Sequence, residues 1–241
     1  MTGADKTHLV RLSLKRNDAA IAPLLRDLLP AACGDAMDLH HRLLWTLYAG
    51  KVERQPGRAI FLWRRMDDSG RFMMLGPSPE MDSPYFTVEA KPFDVRFREG
   101  QRLAFELRLN ATTDIKAGVE SRERGRRTDI VLAQMHHLQK DDRQRARSGS
   151  LRAESAQLAV ENWMGGRSMV DGFALESLRV TGYRGVSPPG ARSSGHSLVG
   201  ISDVEGVVRV VRPDAFLARL RQGFGRMKAY GCGLMLVRPA R

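Results

Sequence analysis

Cysteine is scarce in this sequence: Cys33 and Cys232 are the two among 241 residues. Two cysteines are too few for the disulfide framework of a small secreted protein, and by themselves they cannot form a structural zinc site. No apolar run approaches the roughly 20 residues that span a bilayer. The N-terminus also lacks the basic-then-apolar start of a signal peptide. We therefore expect a soluble, reduced, cytoplasmic protein.

Acidic residues are also few relative to basic ones. The chain has 27 Asp and Glu against 39 Lys and Arg, which gives a formal net charge of +12. A positive excess of this size favours a polyanionic partner, nucleic acid above all. Aromatic residues make up only 7%, but the hydrophobic fraction of 42% is that of a folded globular protein. A chain of this length can form one large domain or two small ones.

Hydrophobic patterning divides the chain near residues 90–100. Period-2 alternation and turn signals predict strands in the first half, and a 3.6-residue period predicts helices. The predicted elements of the first half are strands at His8–Leu14, 59–65, 71–75 and 85–90 and helices at 19–29 and 37–48. Those of the second half are strands at 102–109, 175–183, 197–211 and 234–237 and helices at 130–138, 151–163 and 213–221.

Each half therefore follows a βαββαβ-like order, although the second helix of the first half is not visible in the pattern. This order predicts an α+β protein with two tandem ferredoxin-like (RRM-like) domains, residues 1–95 and 96–241. The segment at 187–195 is predicted to be an exposed hairpin tip because it is rich in Pro, Gly and Ser.

A glycine-rich loop, residues 223–234 (GFGRMKAYGCGL), separates the last helix from the last strand. Gly223 and Gly225 let the backbone approach a ligand, and Arg226 and Lys228 add positive charge, a common combination for holding phosphate. A simple reversal of the chain from helix to strand explains the glycines equally well. The loop follows a helix and precedes a strand, the reverse of the order in dinucleotide-binding folds. We predict that no cofactor binds.

Basic segments at 111–129 and 140–152 follow the strand at 102–109. Runs of this kind are often solvated surface, but in so basic a chain an RNA-backbone track is the stronger interpretation. Few aromatic residues interleave with these cations, which disfavours a stacking platform for single strands and favours phosphate contacts to a duplex stem. The candidate RNA-binding residues in these segments are Lys116, Arg126, Arg127, Arg143 and Arg145.

Three blocks of sequence, in the same order, resemble one known family. They are the helix block HRLLW at 41–45, the strand block at 91–111 and the C-terminal block at 205–236 with its glycine-rich loop. This pattern resembles the CasE-type CRISPR endoribonucleases, RAMP proteins that process repeat RNA within Cascade-like complexes. The resemblance implies tandem ferredoxin-like domains, a CRISPR repeat hairpin as RNA partner, and other Cascade subunits as protein partners.

The resemblance also implies that His41 is the catalytic residue. RNA carries its own nucleophile, the 2′-hydroxyl, so cleavage requires proton transfer and cations but no metal, and histidine suits either proton role near neutral pH. On a helix His41 shares a face with Asp38 and Trp45; we add Asp38 as a candidate catalytic residue and Arg42 as a candidate RNA contact. His40 points to the opposite, leucine-rich face and is expected to pack in the core.

The sequence thus predicts a metal-independent endoribonuclease that cuts precursor CRISPR RNA at the base of the repeat hairpin and retains the product in an effector complex. Asp38 stands where the family often has a tyrosine. This departure leaves open the alternative of a non-catalytic subunit that binds the RNA hairpin without cutting it.

Overall fold

The structure is a computed structural model that describes residues 7–15, 33–48, 50, 52, 59–115, 126–136, 150–186 and 199–240. The predicted helix at 19–29 and the predicted hairpin tip at 187–195 lie outside these ranges. Within the described chain, no helix combines the length and apolar character needed to cross a bilayer.

The first antiparallel sheet has four strands around one helix. Its elements are β1 (His8–Leu14), α1 (Cys33–Trp45), β2 (Leu62–Arg65), β3 (Arg71–Gly76) and β4 (Phe86–Pro92), and a 3₁₀ turn, Thr46–Tyr48, follows α1. The strands lie in the order β2-β3-β1-β4. Residues 77–85, between β3 and β4, contain no helix, in agreement with the missing helix signal in the sequence.

The second antiparallel sheet repeats this order with longer elements. Its strands are β5 (Arg102–Leu109), β8 (Phe173–Val186), β9 (Val199–Val210) and β10 (Met235–Pro239), in the order β10-β5-β9-β8. Helices α2 (Ile130–His136), α3 (Ser150–Asp171) and α4 (Pro213–Gln222) connect them. In both sheets the first and third strands are central, which is the arrangement of a ferredoxin-like domain. The prediction of an α+β chain with two such units is confirmed.

Two features of the second unit differ from the prediction. The two ends of the basic segment at 111–129 form a pair of short antiparallel strands, β6 (Thr112–Ile115) and β7 (Arg126–Asp129). Helix α3 continues through Gly165 and Gly166 to Asp171, although glycine costs a helix about 1 kcal/mol relative to alanine. Packing offsets this cost, because Met164 is fully buried and the carboxylate of Asp171 pairs with Arg219 at 2.6 Å.

Alternating burial explains the strands that the sequence predicted best. In β1 the side chains of Val10, Leu12 and Leu14 are buried, and in β5 every second residue from Leu103 is buried. Each sheet packs this face on its own core, with α1 over the first and α3 and α4 over the second. A third apolar cluster, Leu62, Leu75 and Leu234, joins β2 and β3 to the start of β10 and so connects the two sheets.

Candidate functional site

A cleft of about 450 Å³ separates α1 from the glycine-rich loop. One wall carries His41 and Trp45 from α1 with the segment that leads into β2; the other is the loop itself. The lining residues are His41, Trp45, Ala59, Ile60, Phe61, Gly225, Arg226, Met227, Lys228 and Ala229. Two features that are far apart in sequence, the histidine helix and the basic loop, therefore meet across one cavity.

The ring of His41 is positioned by aromatic neighbours. The indole Nε1–H of Trp45 donates a hydrogen bond to Nε2 of His41 at 3.0 Å, and the ring of Phe61 lies 5.7 Å away between centroids. An N–H group can donate only to an unprotonated ring nitrogen, so this bond favours the form of the ring that carries its proton on Nδ1. The cleft thus combines an imidazole, a group that exchanges protons near neutral pH, with two cations.

His40 lies on the other face of α1, as expected. Its side chain is 6% exposed, and its ring meets Phe72 at 5.1 Å and Trp63 at 6.2 Å between centroids, both edge-on. The leucines of the same face, Leu43, Leu44 and Leu47, are also buried. The prediction that His40 packs in the core is confirmed.

Asp38 and Arg42 form an ion pair along α1. Oδ2 of Asp38 lies 2.7 Å from Nη2 of Arg42, one helical turn away, and the arginine is largely exposed. Neither belongs to the described lining of the cleft. The pair matches the carboxylate with a cation, so that Asp38 presents little net negative charge beside His41.

The backbone of the glycine-rich loop is held mainly by the protein itself. Gly223 N–H caps α4 by donating to Arg219 O at 2.8 Å, and Arg226 N–H donates to Asn110 O at 2.8 Å. Gly233 N–H donates to Arg108 O at 2.8 Å. These amides are committed to internal bonds, so an anion in this loop would be met mainly by side chains.

Close packing accounts for the glycines. At Gly225, φ is +63°, and a Cβ would lie 2.3 Å from the carbonyl oxygen of Asn110. At Gly231, φ is +78°, and a Cβ would lie 3.2 Å from the ring of Trp63 in β2. Only glycine fits such approaches at positive φ without strain. Trp63 also donates from Nε1 to Ala229 O at 3.3 Å, which attaches the loop to the first sheet.

The two cations of the loop have different surroundings. Arg226 is exposed. Lys228 is half-buried, and its Nζ donates to Gln222 O, at the end of α4, at 2.6 Å. Burial, and then the charge of Arg219, lower the pKa of Lys228 below its usual value. A bound anion would relieve this crowding of positive charge.

A second cleft, of about 320 Å³, lies on the other side of the same loop. It brings together five of the predicted RNA-binding residues: Arg127, Gly223, Gly225, Arg226 and Lys228. It also contains Trp163, Arg167 and Arg219, which sequence reasoning missed. Two of them, Trp163 and Arg167, could have been found from their i, i+4 spacing on a helix. The spacing was not recognised because the predicted helix ended at residue 163.

The remaining sequence candidates are only partly placed. Arg126 begins β7, but its side chain lies outside the described part of the structure, as do Lys116, Arg143 and Arg145 entirely. Cys232 is fully buried, and burial raises the pKa of its thiol to about 12, so it is unsuited to nucleophilic chemistry. Across the described ranges, no three His, Cys, Asp or Glu side chains cluster as metal ligands.

Comparisons with known proteins agree with this fold. No curated protein matches the chain significantly. Among solved structures, Thermus thermophilus Cse3, bound to an RNA that represents a pre-cleavage complex, is 25% identical with a TM-score of 0.65, over 97% of this chain and all of that one. Escherichia coli K-12 Cas6e, at 18% identity and TM-score 0.56 over the same shares, has the same fold.

A chain of a CRISPR RNA-guided surveillance complex, in its pre-nicking state, also shares the fold. It is 17% identical with a TM-score of 0.57, over 97% of this chain and all of that chain. The model of a family described as CRISPR associated protein matches residues 7–239. The chain therefore belongs to the CRISPR associated protein family, as the three sequence blocks predicted.

Proposed function

We propose that this protein is an endoribonuclease that cuts precursor CRISPR RNA at the base of the repeat hairpin. The observation that carries the proposal is the cleft in which His41 faces Arg226 and Lys228. Proton transfer and stabilisation of a phosphorane are the two needs of RNA cleavage, and this cavity supplies a group for each. The similarity to Thermus thermophilus Cse3 bound to a pre-cleavage RNA supports the same function.

The reaction uses the nucleophile of the substrate. The 2′-oxygen attacks the adjacent phosphorus as its proton is removed, and the bond from phosphorus to the 5′-oxygen breaks as that oxygen is protonated. The products are a 2′,3′-cyclic phosphate and a 5′-hydroxyl. His41 transfers one of these protons, and Arg226 and Lys228 stabilise the added negative charge on the phosphorane. No metal is required for any of these steps.

Asp38 acts through charge rather than by touching the phosphate. An isolated carboxylate beside His41 would repel the RNA backbone, but the contact with Arg42 at 2.7 Å compensates its charge. Arg42, largely exposed at the end of this pair, is placed to meet a phosphate outside the cleft. Asp38 therefore holds Arg42 in place, and solvent water makes the proton transfer that His41 does not make.

The remaining predicted RNA-binding residues hold the RNA. Arg127, Gly223 and Gly225 line the second cleft beside Arg226 and Lys228. Lys116, Arg126, Arg143 and Arg145, whose side chains lie outside the described structure, are proposed as further contacts to RNA phosphates. After cleavage the protein retains the processed RNA and joins a Cascade-like effector complex in the cytoplasm. The shared fold with a chain of an RNA-guided surveillance complex supports this assembly.

The test is incubation of the purified protein with a precursor transcript of the CRISPR array from the same genome. A single cut at the base of each repeat hairpin, with a cyclic phosphate end, is expected. Tight binding of the repeat without any cut would instead favour the non-catalytic hairpin-binding subunit. Absence of both binding and cleavage would contradict the proposed function altogether.

A further inference from the structure

The second cleft contains a stacked pair that cleavage does not require. The guanidinium carbon of Arg167 lies 4.5 Å above the ring centroid of Trp163, one turn earlier on α3. Trp163 is partly buried against the second core, whereas Arg167 is exposed. A planar cation supported from below by an indole presents its other face as a flat, charged surface.

The same cleft has more positive charge than it can balance. Its lining contains five cationic side chains and two carboxylates, Asp114 and Asp171, an excess of three charges. Asp171 is already paired with Arg219 at 2.6 Å. Like charges held together in a concavity disfavour one another; burial, and then the charge of Arg219, lower the pKa of Lys228. An anionic ligand removes this cost.

We propose that the second cleft binds one unpaired nucleotide of the RNA, with its base stacked on the guanidinium of Arg167 and its phosphate among the cations of the loop. This proposal rests on the proposed function, which it deepens by adding a subsite for the single-stranded flank of the hairpin. A volume of about 320 Å³ suits a single nucleotide. Bases within a stem are covered by their neighbours and a terminal base pair is too large for this cleft, so an unpaired base is the group that fits against Arg167.

The position of the cleft fits a continuous strand. Gly225, Arg226 and Lys228 belong to the lining of both cavities. The glycine-rich loop is therefore a shared wall, with the His41 cleft on one side and the Arg167 cleft on the other. An RNA strand that passes its scissile phosphate under His41 reaches the second cleft after crossing this loop.

A stacking position on α3 would modify one expectation from the sequence. The lack of aromatic residues among the arginines at 111–152 disfavoured a stacking platform, and that remains valid for those segments. Trp163 and Arg167 lie on helix α3, outside those segments, and α3 places them in the cleft beside the glycine-rich loop. The platform is a single position, which suits recognition of one base beside a duplex.

The test is equilibrium binding of full-length protein to repeat-hairpin RNA that carries one 2′-deoxy nucleotide at the cut site, so that cleavage does not interfere. Three RNAs are compared: the hairpin with its single-stranded flanks, the same RNA with abasic flanks, and the trimmed hairpin. The variants are Arg167→Ala and Arg167→Lys, which keeps the charge but loses the plane. Arg98→Ala is the control, since this exposed arginine is not among the residues that line the cleft.

Arg167→Ala should weaken binding of the flanked hairpin by about 5- to 100-fold, the usual effect of losing one base stack, and should leave the abasic and trimmed RNAs nearly unchanged. Arg167→Lys should lose most of the same base-dependent part, and Arg98→Ala should lose none. Equal weakening of all three RNAs by Arg167→Ala would overturn the proposal, because Arg167 would then be a phosphate contact of the stem; unchanged binding of all three would overturn it as well. If wild-type protein bound none of the RNAs, the proposed function would fail first, before any variant is compared.

Discussion

The indole N–H of Trp45 donates to Nε2 of His41 at 3.0 Å, one turn along the same helix. This bond exists only while Nε2 is unprotonated, so Trp45 stabilises the neutral ring against the imidazolium. It also fixes the plane of the ring relative to the loop that carries Arg226 and Lys228. The local sequence of α1 thereby favours one protonation state of the group that we propose to transfer protons and fixes its orientation.

We expect Trp45→Phe to change the pH dependence of cleavage. Without the indole donor the imidazolium forms more readily, so the limb of the pH–rate profile that reports His41 should move to higher pH, whether the histidine acts as acid or base. Single-turnover rates across the pH range provide the measurement. Trp63→Phe is the matched control, because it removes an indole donor to Ala229 O rather than to His41. An identical shift in both variants, or none in Trp45→Phe, would argue against this role of Trp45.

The two adjacent histidines should separate rate from stability. His41→Ala should lower the single-turnover cleavage rate by about 10²–10⁴-fold, the usual effect of removing a positioned proton-transfer group, with little change in RNA affinity. His40→Ala should instead lower the free energy of unfolding, because the ring packs on Phe72 and Trp63 in the core. Denaturant unfolding and cleavage assays on both variants check this. Equal rate losses would refute the assignment of the two helix faces.

The sequence could predict this site only in part. The spacing of Asp38, His41 and Trp45 was sufficient to place the three on one helix face, and the glycines marked the loop. Their meeting across a cleft depends on contacts between the two sheets, such as Gly231 against Trp63, which no local pattern encodes. The i, i+4 spacing of Asp38 and Arg42 is a pattern that allows an ion pair on a helix, but the two residues were predicted to have separate roles.

The fold, too, could be predicted from the sequence in some elements and not in others. Strands β1 and β5 have the predicted bounds because their side chains alternate between a buried and an accessible face. Helix α3 extends eight residues beyond the predicted end at 163, since Gly165 and Gly166 are normally helix breakers and only tertiary packing carries the helix past them. The hairpin of β6 and β7 was missed because its strands are short and polar.

Lys228 should contribute one phosphate contact. Lys228→Ala should weaken binding of the repeat hairpin and reduce the slope of log K against log salt concentration by about 0.7–0.9, the value per neutralised phosphate. Lys228→Arg should keep most of the slope. Binding titrations at several salt concentrations provide the measurement, with Arg98→Ala as an exposed-charge control. An unaltered slope in folded Lys228→Ala would show that the lysine makes no phosphate contact and serves only its hydrogen bond to Gln222 O at the end of α4.

Gly225→Val tests whether the loop must approach β5 closely. A β-branched side chain resists the φ of +63°, and its Cβ would lie 2.3 Å from Asn110 O, so the loop must move and both clefts must change shape. We expect a larger loss of RNA affinity than in Lys228→Ala, with the circular dichroism spectrum retained. A milder loss than in Lys228→Ala would indicate that the loop tolerates displacement and that the glycine serves chain reversal alone.

The most direct test of the central claim uses wild-type protein and two repeat hairpins that differ by one oxygen. One RNA has ribose throughout, and the other has a single 2′-deoxy nucleotide at the cut site; both are incubated with the protein in excess EDTA. The account predicts that the ribose RNA is cut to a 2′,3′-cyclic phosphate without metal, while the deoxy RNA binds equally well and stays intact. Cleavage of the deoxy RNA, or cleavage of the ribose RNA only when magnesium is restored, would contradict it.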